Sequence, residues 1–217
     1  MNKSKYTTQS IAVRCFVIIV GVIIAGFGAA AFVTANLGSD PVTAFVQGLG
    51  FTLNLSFGMA MNVFNIVCFL IILVLNRKLI NIGTIIYTFM LGYCADFFIA
   101  LLNGLMGSEP SLLIRSVVII LGTIALGIGL GFYQSAEFGI GPSDAFNQTI
   151  TSITKIPLKY ERMIFDTFMV VCGYFMGGVV FVGTIVGMLA VGPIMAPTIS
   201  KFTPIVNKWA GNESLNK

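Results

Sequence analysis

The chain has 217 residues, of which 57% are apolar and only 9% are charged, with a formal net charge of +4. A soluble domain carries about 25% charged residues, so this composition excludes a water-soluble fold and predicts a membrane protein. The small basic excess points to orientation in a bilayer rather than to nucleic-acid binding. The chain contains no His, which excludes His-based catalysis and His metal sites and argues against an enzyme.

Six apolar stretches are long enough to cross a bilayer as helices, since about 20 residues suffice. The connecting segments alternate between Lys/Arg-containing and Lys/Arg-free, which places both termini in the cytoplasm; Arg115 alone lies on the other side. Residues 1–10 then form a cytoplasmic N-terminal segment and residues 205–217 a cytoplasmic tail. The six predicted spans cover residues 11–35, 57–76, 79–103, 112–136, 161–180 and 182–204.

The sequence contains an internal repeat. Residues 21–47 align without gaps on residues 122–148, at a spacing of 101, with identical residues at ten of 27 positions. The repeat predicts two copies of a three-span unit, residues 11–103 and 112–204. An odd number of spans makes the second copy enter the membrane from the opposite side. We therefore expect an all-α membrane protein built as an inverted-topology repeat, an architecture typical of secondary transporters.

Both copies contain a Gly-Pro motif followed by a segment too short to span a membrane. The segments, 41–51 and 142–153, are 11 and 12 residues long, and the preceding Gly and Pro favour a break followed by a new helix. One interpretation is a re-entrant or broken helix that ends inside the protein. The alternative is an amphipathic helix lying at the membrane surface. The predicted hinge residues are Gly38, Pro41, Gly139, Gly141 and Pro142.

Ionisable residues inside apolar spans are costly and usually functional. Asp166 and Asp96 lie inside predicted spans, Glu137 and Asp144 flank the second Gly-Pro motif, and Asp40 lies within the first. No Lys or Arg lies deep in a span, so we expect these five acids to lack a basic partner. For Asp166 the alternative is a position at the interface, near Arg162. The predicted substrate or ion site consists of Asp166, Glu137, Asp144, Asp40, Asn36, Asn62, Asn65, Gln47, Gln148 and Asp96.

The four cysteines, at 15, 68, 94 and 172, lie in or beside apolar runs without a CxxC spacing. They are interpreted as small buried hydrophobic residues. We therefore predict no metal site and no cofactor.

The motifs LGSDPVTAF and FGIGPSDAFNQTIT, together with ERMIFD, resemble the YitT/YczE family of bacterial integral membrane proteins. The resemblance extends over residues 11–205. It implies a small multi-span protein of the bacterial inner membrane, in a family without a settled substrate.

Three functions are compatible with these patterns. The first is a permease for a small solute, coupled to H⁺ or Na⁺ and working by alternating access between inverted repeats. The second is the substrate-binding membrane subunit of an ATP-driven vitamin importer. The third is a non-transporting assembly factor or modulator. Helix N-termini favour anions whereas carboxylates favour cations, so a zwitterion, or an anion travelling with a cation, would satisfy both.

Overall fold

The computed structural model describes residues 7–107 and 109–211, and this part of the chain is helical without strands. Of the predicted terminal segments, residues 1–6 and 212–217 lie outside the described residues. We call α1–α4 the first half and α5–α8 the second half. The helices are α1 (Thr8–Ala35), α2 (Pro41–Leu53), α3 (Phe57–Leu75), α4 (Ile82–Met106), α5 (Leu112–Gln134), α6 (Pro142–Thr154), α7 (Leu158–Phe175) and α8 (Val182–Trp209).

Five of these helices, α1, α3, α4, α5 and α8, are long and apolar enough to cross a membrane. Large apolar side chains are exposed on the outside, with Val74 at 83% and Phe175 at 82% of full exposure. Such a surface suits lipid rather than water. The helix α7 occupies the position of the predicted span 161–180 and has 18 residues. Because four of these residues are charged, α7 is not among the five long apolar helices.

The two short helices begin where the sequence predicts a break. Pro41 opens α2, and the Asp40 carboxylate caps it by accepting a hydrogen bond of 3.3 Å from the Thr43 amide. Pro142 opens α6 directly after Gly141. Pro suits a first helical turn because its missing N–H would have no partner there. Each helix has 13 residues, or about 20 Å, so neither crosses a bilayer of about 30 Å.

The centre of the protein is an antiparallel pair formed by α1 and α5, which touch through glycines. A Cβ added at Gly28 would lie 2.7 Å from the Leu126 Cα, and one added at Gly129 would lie 2.8 Å from the Ala25 Cα. These distances exclude any larger residue unless the helices separate. The glycines of the sequence repeat therefore serve close helix packing, as small residues do in membrane proteins.

Two arginines at the repeat spacing hold the ends of this helix pair. Arg14 is buried near the start of α1, and its guanidinium donates to the Ala136 carbonyl just beyond the end of α5 and to Asn207 Oδ1 at 2.6 Å. Arg115, near the start of α5, donates from Nε to the Ala35 carbonyl at the end of α1 at 2.6 Å. A cation at a helix C-terminus is stabilised by the unpaired carbonyls there. This contact gives Arg115 a structural reason to depart from the charge pattern of the loops.

In each half, the first turn of the last helix donates a backbone hydrogen bond to the bend that precedes the short helix of the other half. The Gly83 amide at the start of α4 donates to the Phe138 carbonyl at 2.9 Å, and the Gly183 amide at the start of α8 donates to the Leu37 carbonyl at 2.8 Å. The next residues, Gly38 and Gly139, have φ angles of +100° and +130°. A side chain is strained in this backbone region, so two of the three predicted hinge glycines adopt a conformation that favours glycine.

Candidate substrate cavity

A cavity of about 310 Å³ lies where the two halves meet. Each of the helices α1 to α8 contributes to its lining, and the first turns of α2 and α6 both reach it. Most of the wall is apolar, formed by Leu, Met, Val and Phe side chains. Four predicted site residues are brought together here, two from each half: Asp40, Asn65, Asp144 and Asp166.

Arg162 on α7 joins two of the acids. Its NH1 lies 3.5 Å from Asp144 Oδ1, and its Nε lies 4.0 Å from Asp166 Oδ2, one turn further along the same helix. Asp144 Oδ2 also accepts a hydrogen bond of 2.9 Å from the side-chain Nε2 of Gln134. The expectation that these acids lack a basic partner was wrong for Asp144 and Asp166. Arg162 lies at the edge of the predicted span 161–180, whereas α7 begins four residues before it and carries its side chain to the cavity.

Asp40 has a different environment. Its Oδ2 caps α2, whereas its Oδ1 is buried and has no hydrogen-bond partner. Gly187 on α8 allows this close approach, since a Cβ there would lie 3.2 Å from the Asp40 Cα. Within the described residues, no ion pair engages Asp40. It is the cavity carboxylate that remains available to a ligand.

Two asparagines in the lining also carry an unpaired polar atom. Asn65 on α3 is 1% exposed, and its Nδ2 has no partner; Asn147 on α6 is 4% exposed, and its Oδ1 has none. Buried polar groups in folded proteins are nearly always hydrogen-bonded. Their position on a cavity wall therefore indicates groups that a ligand would satisfy.

Tyr133 lies outside the cavity lining and stabilises the start of α6. Its hydroxyl accepts a hydrogen bond of 2.5 Å from the Gly141 amide, and its ring packs on Tyr87 with centroids 4.8 Å apart. A Cβ added at Gly141 would lie 2.7 Å from this hydroxyl, so the predicted hinge at Gly141 is a position of close approach. Sequence reasoning missed Tyr133. Its only signal is the repeat, in which the corresponding residue is Phe32.

Three predicted site residues lie outside the cavity lining and make other contacts. Asp96 binds the start of α3, accepting from Ser56 Oγ at 2.5 Å and from the Gly58 amide at 2.6 Å. Glu137 accepts from Asn207 Nδ2 at 3.1 Å. The Asn36 carbonyl accepts from the Arg115 guanidinium. Each of these residues stabilises a helix end or a bend.

The remaining predicted residues also lie outside the lining. Asn62 on α3 packs against Gly92 of α4, and Gln47 Oε1 accepts from the Val179 amide at 3.2 Å. Gln148 is half-buried on α6. Conversely, the cavity lining includes five polar residues that the sequence did not single out as site residues, namely Thr43, Tyr87, Ser143, Asn147 and Arg162. Over the described ranges, no cluster of three potential ligands from His, Cys, Asp or Glu is placed to hold a metal ion.

The apolar surface and the five long apolar helices define a multi-pass helical membrane protein with a cavity between its halves that several polar side chains line. The family described as "Family of unknown function (DUF6198)" matches residues 12–199, and the chain belongs to this family. It is 26% identical to the "Uncharacterized membrane protein YczE" of Bacillus subtilis over 92% of this chain and 91% of that protein. This similarity agrees with the resemblance expected from the Gly-Pro motifs.

Two further relatives are known by sequence. An "Uncharacterized protein" of Haemophilus influenzae is 24% identical over 79% of this chain and 77% of its own length. The "Uncharacterized protein YyaS" of Bacillus subtilis is 21% identical over 87% of this chain and 92% of its own length. No solved structure matches the chain.

Proposed function

We propose that the protein is a secondary transporter of the bacterial inner membrane that carries a small solute by alternating access between two inverted halves. The observation that carries the proposal is the cavity between the halves, at which both short helices begin. Broken helices that start at a shared central site are typical of secondary transporters. The bilayer is then the only partner that the chain requires, and no catalytic step is involved.

Several features support an inverted arrangement of the halves. The short helices α2 and α6 are offset by 101 residues at both ends. The hydrogen bonds Gly83 to Phe138 and Gly183 to Leu37 are reciprocal, as are the two arginine contacts at the ends of α1 and α5. Reciprocal contacts of this kind arise when two similar units are related by a two-fold axis.

We assign α7 as the sixth span, in spite of its charges. Arg162 and Asp166 line the cavity rather than the outside. The opposite side of the helix is exposed and apolar, with Ile164 at 62% and Phe168 at 58% exposure. Charged residues within a membrane span face the protein interior or a water-filled cavity. With α7 included, each half has three spans, and both termini lie in the cytoplasm.

The helix α8 is the element that we expect to move. It contains Pro193, Pro197 and Pro204, and it contributes Gly187 and Gly192 to the cavity wall. Each proline removes a hydrogen bond from the helix and favours a bend. Its counterpart α4 has no proline. Bending of α8 would open one side of the cavity while α1 and α5 stay packed.

The coupling ion, H⁺ or Na⁺, is assigned to Asp166. Its carboxylate faces the Arg162 guanidinium at 4.0 Å, a loose contact that Asp144 shares. A proton or Na⁺ that binds Asp166 competes with Arg162 for the same oxygen. When Arg162 loses its contact with Asp166, the charge around Asp144 in the first turn of α6 changes. Ion binding is thereby linked to the position of this short helix.

The topology is tested with single cysteines at equivalent repeat positions. In a chain whose four natural cysteines are replaced by alanine, we place Leu53→Cys at the end of α2 and Thr154→Cys at the end of α6; both positions are exposed. A membrane-impermeant maleimide added to intact cells should label the first and leave the second unlabelled until the membrane is opened. Labelling of both from the same side would contradict the inverted arrangement.

Transport is tested with the purified chain in proteoliposomes, without ATP and without other proteins. Each liposome is loaded with a pool of candidate solutes, and exchange of a labelled solute across the membrane is measured. Exchange by the chain alone would exclude a subunit that depends on a partner ATPase. If no candidate solute exchanges, the non-transporting modulator is favoured instead.

A further inference from the structure

The polar groups that the cavity leaves unpaired indicate the chemistry of its ligand. Two of them are acceptors, Asp40 Oδ1 and Asn147 Oδ1, and one is a donor, Asn65 Nδ2. Both asparagines are more than nine-tenths buried, and all three residues line the same cavity. A ligand that satisfies them carries at least one strong donor and one acceptor.

The charge of the lining decides between a cation and an anion. The lining contains three carboxylates and one guanidinium, that of Arg162, so it carries a formal charge of −2. The carboxylates are those of Asp40, Asp144 and Asp166. The N-termini of α2 and α6 each contribute about half a positive charge. Before the coupling ion binds Asp166, the sum is close to −1, which disfavours an anion and matches a ligand with one positive charge.

The size and the walls of the cavity favour an organic cation over a metal ion. A volume of about 310 Å³ is at the lower end for small-molecule sites. Apolar side chains such as Met61, Leu91 and Val191 form much of the wall, whereas hard metal ions require shells of oxygen ligands. The aromatic rings of Tyr87 and Phe165 also line the space, and aromatic rings attract organic cations.

We propose that the cavity binds a small organic amine with a single positive charge and an apolar body. This inference rests on the proposed function, because it takes the same cavity as the transport site. The ammonium group donates to Asp40 Oδ1 and Asn147 Oδ1, and Asn65 donates to a neutral oxygen on the same molecule. Arg162 stays with Asp144 and Asp166 and gives no separate site for an anion.

The charge preference is tested on the purified full-length protein in detergent with three probes of equal length: n-butylammonium, n-butanol and butyrate. Binding is measured by calorimetry and by the shift in the thermal unfolding midpoint. We expect n-butylammonium to bind at least about tenfold more tightly than either other probe, because a hydrogen bond to a charged group contributes more than one to a neutral group. Equal binding of all three, tighter binding of butyrate, or binding of none would overturn the proposal.

The role of Asp40 is tested by Asp40→Asn, with Glu109→Gln as the matched control on an exposed residue outside the cavity. Asn caps a helix as well as Asp does, so the fold of α2 should be retained. We expect n-butylammonium to bind about 10- to 100-fold more weakly to Asp40→Asn and unchanged to the control. Undiminished binding to Asp40→Asn would overturn the assignment of Asp40. The comparison of the three probes on the unmodified protein requires no variant, so it tests the proposal even if Asp40→Asn does not fold.

Three further experimental outcomes distinguish a failure of this proposal from a failure of the proposed transport function. Stabilisation by sodium chloride alone that is lost in Asp40→Asn would identify an inorganic ion as the ligand and overturn the organic class. Binding of n-butylammonium without its exchange across liposomes would leave the amine site standing and reject transport. Exchange of butyrate without binding of the amine would retain transport and reject the amine site.

Discussion

The helices α2 and α6 have the same length and both begin at the cavity, yet their surfaces differ. In α2 the residues Val42 and Thr43 line the cavity, and in α6 the residues at the same repeat positions are Ser143 and Asp144. Identical repeat positions are found both outside the lining, as at Ala44 and Ala145, and within it, as at Pro41. The polar side chains that face the cavity, in contrast, differ between the halves.

The same contrast extends to the neighbouring helices. On α3 the cavity meets Met61 and Asn65, and on α7 it meets Arg162 and Asp166 at the corresponding positions. The first half thus supplies a single carboxylate, Asp40, and the second half supplies an ion-paired cluster. The two carboxylates to which we assign roles therefore differ in environment: Asp40, proposed to bind the ligand, has no ion pair among the described residues, whereas Asp166, proposed to bind the coupling ion, lies beside Arg162.

The largest effect is expected at the shared scaffold. We expect Gly28→Leu and Gly129→Leu each to destabilise the protein by about 3 kcal/mol or more, because each side chain would overlap backbone atoms of the opposite helix. Thermal unfolding in detergent measures the loss. Gly104→Leu on α4 is the control, since no atom lies within 4 Å of a Cβ there. A loss confined to one of the two variants would show that the halves do not share this contact equally.

The next effect concerns the proposed coupling acid. Asp166→Asn gives the second half the residue that the first half has at position 65, and we expect it to abolish ion-driven uptake while the folded protein is retained. Uptake is measured in proteoliposomes under an imposed proton or sodium gradient. Unchanged uptake would reject the coupling role.

A reciprocal exchange sharpens this test. Adding Asn65→Asp to Asp166→Asn returns the carboxylate count to that of the natural chain. We expect no recovery of uptake, because the residue one turn before position 65 is Met61 rather than an arginine. Recovery would mean that the acid can act from either half.

A smaller difference is expected between the two arginines. Arg14→Met should cost about 2–3 kcal/mol of stability, because it leaves buried acceptors at Ala136 and Asn207 unpaired. Arg115→Met should cost less than about 1 kcal/mol, because its contact at the end of α1 lies partly in solvent. Thermal unfolding of both variants at one detergent concentration gives the ratio. Equal costs would contradict the difference in burial.

A similarly small effect is expected at Tyr133. Tyr133→Phe gives the second half the residue of the first half at position 32 and removes the acceptor for the Gly141 amide. We expect a loss of about 1 kcal/mol and a weaker affinity for the ligand, since the start of α6 loses its support. The unfolding midpoint and n-butylammonium binding report the two effects. A loss of stability without any change in binding would confine Tyr133 to the fold.

The sequence is a good guide to the helices because their signals are local. Pro41 and Pro142 mark the starts of the short helices to the residue, and the repeat places the close packing of Gly28 and Gly129. The sixth span is harder to assign. Its charges make α7 less apolar than the other long helices, and their position on the cavity becomes visible only when the helix is packed.

The site was predicted in part, and the failures have a common cause. Asp96 and Asp166 look alike in the sequence, as single acids within apolar runs. Asp96 faces the first turn of α3 and binds it, whereas Asp166 faces the cavity. Apolar helices give little periodic signal, so the direction of a polar side chain depends on neighbours that are distant in sequence. Arg115 was interpreted by charge alone for the same reason.

The reciprocal contacts of Gly83 with Phe138 and of Gly183 with Leu37 have a consequence for the ancestry of the chain. Each half offers the other a surface that matches its own, as the subunits of an isologous homodimer do. In the proposed inverted arrangement, a half-length precursor would assemble with a second copy of itself that is inserted in the opposite sense in the same membrane. Joining the two copies would then fix one orientation for each half and allow their cavity-facing residues to diverge.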